Sequence, residues 1–155
     1  MTVKEFINKY FIEEIGSLVE KRPFVSFVLM AIGIEFLGKC LNPNKWNDDT
    51  EIHKDNFYEA IRKFDSLNKY DIPILYKNLR CGLAHRFMVE DKLMLTPDKN
   101  NLTGSIIILG CKDFYADFKQ ACLDAIEDKK MIVKKDLNKE YDFEIGGITG
   151  STISN

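Results

Sequence analysis

Residues 23–41 read PFVSFVLMAIGIEFLGKCL. Pro23 suits the first turn of a helix, because its missing N–H is not needed there. The stretch that follows is apolar almost all round, and such a helix belongs at the centre of a bundle rather than on its surface. Its most apolar part, Phe24 to Leu37, is short for a membrane span and contains Glu35, so it reads as a buried helix and not as a membrane helix. Asn42-Pro43-Asn44 ends it.

Moving outward toward the N-terminus, Thr2-Val3-Lys4-Glu5 has the form of a capping box. Val3, Phe6, Ile7, Tyr10, Phe11, Ile15, Leu18 and Val19 follow at helical spacing and predict a first helix. After the second helix, residues 42–54 form a polar loop around Trp46. A third helix starts near Asp55 or Asn56 and uses Phe57, Ile61, Phe64 and Leu67. Asp71 is the expected N-cap of a fourth helix, with Pro73 in its first turn. Leu75, Leu79 and Leu83 give this helix an inner face, and Lys77, Arg80 and Ala84 lie on another.

The period then changes. Lys92 to Leu95 and Ser105 to Leu109 read as two short strands, with Pro97, Asn100, Asn101 and Gly104 between them. That pattern predicts a β-hairpin with a long turn. A fifth helix follows from about Lys112 to Lys129, using Phe114, Phe118, Cys122, Ala125 and Ile126. The expected fold is therefore mainly α: a bundle of about five helices over residues 1–130, with a β-hairpin at about 92–109 between the fourth and fifth. Gly146, Gly147 and Gly150 with Ser and Thr suggest that the C-terminal tail, 131–155, is partly flexible.

With 45% hydrophobic and 30% charged residues the chain has the composition of a globular domain, and its 155 residues suffice for one such domain but not two. A net charge of −2 supplies no overall field toward nucleic acid or anionic lipid, so any polyanion contact must come from a local patch. Cys40, Cys81, Cys111 and Cys122 lack the spacing of a zinc knuckle or a CxxC pair. Read as reduced, mostly buried thiols, they fit a cytoplasmic protein. The early charges Lys4, Glu5, Lys9, Glu13 and Glu14 do not resemble a secretory signal.

The segment with chemical content is Leu79-Arg80-Cys81-Gly82-Leu83-Ala84-His85-Arg86-Phe87. Cleaving RNA without a metal needs a base for the 2′-OH, an acid for the leaving 5′-oxygen and a fixed cation for the phosphorane. Histidine can serve in either proton-transfer role, and arginine supplies planar donors with permanent charge. Gly82 is expected to expose backbone between Arg80 and His85, so that a phosphate or a partner helix can come close. Lys77 and Arg86 would add phosphate contacts, and Tyr76 could stack on a base. Five residues along an ideal helix turn through about 500°, which leaves Arg80 and His85 roughly 140° apart. Either the helix ends near Ala84 and His85 turns back, or the site is shared between subunits.

Each residue also has a plainer reading. Arg80 could simply pair with Glu35, since a carboxylate on an apolar helix is seldom left unpaired. That contact is compatible with catalysis. His85 could cap the C-terminus of its helix. Tyr76 could be core-edge packing. His53 precedes the third helix and reads as a surface residue. No Asp, Glu or Cys cluster gives His53 and His85 metal-ligand spacing, so neither a metal nor a cofactor is expected.

The Arg80-x4-His85 pair resembles the R-x4–6-H motif of the HEPN superfamily, small helical domains of which many are ribonucleases. The resemblance implies a metal-independent endoribonuclease of toxin or defence type that acts on RNA as a homodimer, with motif residues of both chains in one cleft. It also implies an antitoxin or regulatory protein as a partner. Cys81 stands where the family often has Asn or Asp, and Phe87 where some members have Tyr. Two other readings remain: a non-catalytic module of the same fold that binds RNA, nucleotide or protein, and an unrelated helical interaction protein.

Overall fold

A computed structural model describes residues 1–41, 53–89 and 92–128. Among them the chain forms five helices and a two-stranded sheet, and the fold is mainly α. We label the helices α1 (residues 3–18), α2 (Pro23–Leu41), α3 (His53–Lys63), α4 (residues 72–86) and α5 (Cys111–Glu127), and the strands β1 (Leu93–Thr96) and β2 (Ile107–Gly110). The loop around Trp46 and the C-terminal tail lie outside the described residues, as do Lys129 and Lys130.

The capping box forms as the sequence predicts: Thr2 N–H donates to Glu5 at 2.7 Å, and Glu5 N–H donates to the Thr2 hydroxyl at 3.2 Å. The buried residues of α1 and its exit, Val3, Ile7, Phe11, Ile15 and Val19, recur strictly every four residues. An ideal α-helix would let that stripe drift around its surface, because its period is 3.6. From Ile7 to Glu14 the backbone is instead wound with the wider i→i+5 bonding of a π-helix, which keeps the stripe on one face.

Helix α2 packs against α1, α3, α4 and α5, and nine of its nineteen residues are buried. Its closest neighbour is α3. A Cβ at Gly38 would lie 1.7 Å from the Asn56 carbonyl oxygen, so only glycine allows the two backbones this approach. By length and composition alone α2 could cross a membrane, since it is longer than its most apolar part; half of it is buried inside the fold. Phe24, Val25, Leu29 and Ile32 are its exposed apolar residues. On α3, Phe57, Ala60 and Ile61 point into the core, and Phe64 and Leu67 continue it beyond the helix. The inner face of α5 is Phe114, Phe118, Ala121, Cys122 and Ala125.

The expected β-hairpin is not what forms. Strands β1 and β2 run parallel, with Leu93 opposite Ile107 and Thr96 opposite Gly110. The turn residues between them make two reversals, where a hairpin needs one. The first, through Pro97–Asn101, brings Asn101 into an antiparallel bridge with Ile108 on the other side of β2. The second passes through Gly104, at φ 155°, and restores the original direction. Asn100 locks this path: its Nδ2 donates to the Tyr70 hydroxyl at 2.8 Å, and its Oδ1 accepts from Gly110 N–H at 2.7 Å.

Candidate functional site

Asp71 caps α4 as expected, accepting from Ile74 N–H at 2.8 Å, with Pro73 in the first turn. Between Leu75 and Cys81 the helix is π-wound, and Gly82 N–H reaches back to the Lys77 carbonyl. This wider turn covers fewer degrees per residue than an α-helix, so the offset between Arg80 and His85 is smaller than the ideal 140°. The helix does not end near Ala84. It continues to Arg86 and stops where Phe87 adopts a left-handed conformation, φ 53° and ψ 27°.

Arg80 points toward α2. Its Nε donates to Glu35 Oε2 at 2.7 Å, and the two side chains are only 16% and 14% exposed. The pairing that burial of Glu35 predicts is therefore present. Burial works against charge on Arg80, but the hydrogen bond and charge of Glu35 outweigh it and hold the guanidinium pKa above its ordinary value.

The other carboxylate oxygen of Glu35 is taken by a residue that the sequence reading placed on the surface. His53 is the first residue of α3, where the helix begins two residues before the expected Asp55, and its Nδ1 lies 2.6 Å from Glu35 Oε1. Its side chain is 48% exposed, so it joins the site without being buried in it. One carboxylate thus holds a cation from α4 and an imidazole from α3. The signal that could have found His53 is the second oxygen of Glu35: a single Nε–H satisfies only one of the two.

Tyr76 stands one turn before Arg80. Its ring packs edge-on against Phe57 and Tyr58, with centroids 5.6 and 5.7 Å apart, so it belongs to an aromatic cluster between α3 and α4. Burial and the adjacent Cys81 thiol push its hydroxyl above the ordinary pKa; Arg80 opposes this and Glu35 adds to it. The hydroxyl therefore lies in the electrostatic neighbourhood of the Glu35–Arg80 pair, while the ring serves packing.

His85 and Arg86 are exposed in the last turn of α4, and Lys77 is exposed on its middle turn. The bonds that join Glu35, Arg80 and His53 do not include His85. Gly82 does not expose backbone to a phosphate. It is buried, and a Cβ there would lie 2.4 Å from the Met88 carbonyl. The chain leaving α4 folds back and occupies that space itself, with Met88 N–H donating to the Gly82 carbonyl at 3.4 Å. Gly82 therefore supports the site by letting the helix exit fold tightly. Immediately beyond His85 and Arg86, Phe87 and Met88 are 70% and 64% exposed. Among the described residues no three His, Cys, Asp or Glu side chains converge in a way that could hold a metal ion.

Cys40, Cys111 and Cys122 are buried free thiols, and Cys81 is half-buried. No family model, no curated protein and no solved structure matches the chain.

Proposed function

We propose that the chain is an HEPN-like, metal-independent endoribonuclease of toxin or defence type, acting in the cytoplasm as a homodimer. The observation that supports this best is the state of Arg80. A phosphorane intermediate needs a cation held in place before the reaction, so that no reorganisation is required as charge develops. Glu35 supplies that hold through Nε, and the remaining N–H donors of the guanidinium are those a phosphate would use. His85, five residues on, is exposed and can give or take a proton at a substrate oxygen. Lys77 and Arg86 flank the pair on the same helix as phosphate contacts.

The homodimer draws its support from Phe87 and Met88. Two large apolar side chains beside the motif are suited to contact with a second α4, which would bring both motifs to one cleft. An antitoxin or regulatory protein would restrain such an enzyme. The reduced state of the buried thiols accords with a cytoplasmic setting.

One observation favours a second reading. An arginine in a half-buried ion pair is also what a purely structural bundle would contain, and the same fold would then be a non-catalytic module binding RNA, nucleotide or a protein partner. Incubation of the purified protein with total RNA in EDTA separates the two. Cleavage that is lost in His85→Ala and in Arg80→Lys, with the fold retained, supports the enzyme. RNA left intact under all conditions overturns it.

A further inference from the structure

Resting on the RNA-cleaving reading of the Arg80 site, we propose that Lys54 and Arg62, seated on Tyr58, form a row on α3 that grips RNA phosphates neighbouring the one at Arg80. The three residues lie at i, i+4 and i+8, so they line one face of the helix. Lys54 Nζ sits 5.3 Å from the centre of the Tyr58 ring, and Arg62 Cζ sits 5.6 Å from it. Two long, flexible cations are thus held by one aromatic group, about 12 Å apart along the helix axis. Both are exposed, and among the described residues neither pairs with a carboxylate. Lys63, beside them, is committed to Asp128 at 3.0 Å. The carboxylates of α3, Asp55 and Glu59, lie one position further round the helix.

The row stands beside Arg80 because α3 is tied to that residue's surroundings twice. His53, next to Lys54 in the chain, contacts Glu35, whose other oxygen takes Arg80. Further along α3, the Tyr58 ring meets the Tyr76 ring edge-on, with centroids 5.7 Å apart. Tyr76 stands one turn before Arg80 on α4, and its hydroxyl feels the charges of both Arg80 and Glu35. A strand with one phosphate at Arg80 therefore continues across the two tyrosines onto α3. The chain's net charge of −2 gives no overall attraction, so a polyanion has to be held by local cations of this kind. Seating the cations on a ring in advance lowers the entropy lost when they close on phosphates. None of the large exposed apolar residues lies on α3, so the row has nothing to insert among acyl chains, and it suits a nucleic-acid backbone rather than a lipid surface.

The probe is a fluorescent single-stranded 2′-O-methyl RNA of mixed sequence, which cannot be cleaved because its 2′-oxygen carries no proton. Its anisotropy is followed through a salt series. The wild type should bind, with affinity falling as salt rises. The double variant Lys54→Gln, Arg62→Gln should bind on the order of 10-fold weaker, with a slope of log K against log salt shallower by about 1.4, as two lost contacts to a single strand require. Tyr58→Leu should also weaken binding, whereas Tyr58→Phe, which keeps the ring, should match the wild type. A control, Lys99→Gln with Lys119→Gln, removes the same charge from other elements and should leave the slope unchanged. Circular dichroism melts check that each variant is folded. A Lys54, Arg62 variant with wild-type affinity and slope, or with no greater loss than the control, overturns the row. Wild-type binding to phosphatidylglycerol vesicles without binding to the RNA overturns it too. Cleavage of total RNA in EDTA is read separately, so that binding through the row without cleavage overturns the nuclease reading alone, and cleavage with an unaffected double variant overturns the row alone.

Discussion

Replacing Glu35 with Leu should cost more stability than replacing Arg80 with Met, and the two costs should not add. Exposed ion pairs contribute about 0–1 kcal/mol, whereas breaking a fully buried pair costs about 3–5 kcal/mol. Glu35 and Arg80 are 14% and 16% exposed, so the pair lies nearer the buried limit without reaching it. Glu35→Leu leaves a guanidinium in that setting without its carboxylate, and about 3 kcal/mol is expected. Arg80→Met keeps most of the apolar stem and leaves Glu35 with His53 as a remaining partner, so about 1–2 kcal/mol is expected. In the double variant neither charge is left behind, and its cost should fall below the sum by about 1–2 kcal/mol. Urea unfolding followed by circular dichroism measures all four proteins, with unchanged m-values as the condition for comparing them. Additivity to within about 0.5 kcal/mol, or a larger cost for Arg80→Met, would refute the picture of one carboxylate shared by two partners.

Gly38→Ala should destabilise the protein by about 3 kcal/mol or more, because its Cβ would lie 1.7 Å from a backbone oxygen of α3 that no side-chain rotation can move; a melt within a degree or two of the wild type would contradict this. Phe87→Tyr should be neutral to within about 0.5 kcal/mol, since the ring is 70% exposed, and Phe87→Gly should stabilise by about 1 kcal/mol by relieving the left-handed conformation; thermal melts check both. In native protein at pH 8, a thiol reagent should modify Cys81 first. Burial pushes the Cys111 thiol up to about 11 and raises Cys40 and Cys122 as well, so their reactive thiolate forms are scarce until the pH approaches those values or the protein unfolds. Mass spectrometry of briefly alkylated protein showing rapid labelling at Cys40 or Cys122 would contradict the fold around them.

The helices were legible because each carries its own local signals. Thr2 with Glu5, Pro23, and Asp71 with Pro73 mark three helix starts by chemistry that operates within four residues of chain. The Glu35–Arg80 pair was legible by elimination, since a carboxylate on an apolar helix requires a partner. The sheet was misread for a different reason. Turn residues report that the chain reverses, but whether Pro97 to Gly104 reverses once or twice depends on bonds to Tyr70, Asp113 and Gly110, which the sequence separates from the turn by up to about thirty residues. Gly82 was misread because helix propensity describes only the helix, and the atom that fills the space beside Gly82 belongs to Met88, outside it.

His53 was missed for a reason that also explains how the site is built. Residues three apart on a helix share a face, so Glu35 lies on the same side of α2 as Gly38, and His53 on the same side of α3 as Asn56. Gly38 lies against the Asn56 carbonyl, one turn from the Glu35–His53 bond on both helices. A glycine in an apolar helix and a histidine at the start of a polar one carry no mutual signal in sequence. In the fold, the absence of a Cβ at Gly38 sets the helix separation at which a carboxylate on α2 reaches a ring nitrogen on α3 at 2.6 Å. Arg80, from α4, bonds the other oxygen of the same carboxylate. The geometry of the candidate site is therefore a consequence of backbone packing in the core, and a substitution that separates α2 from α3 acts on His53 and Arg80 together.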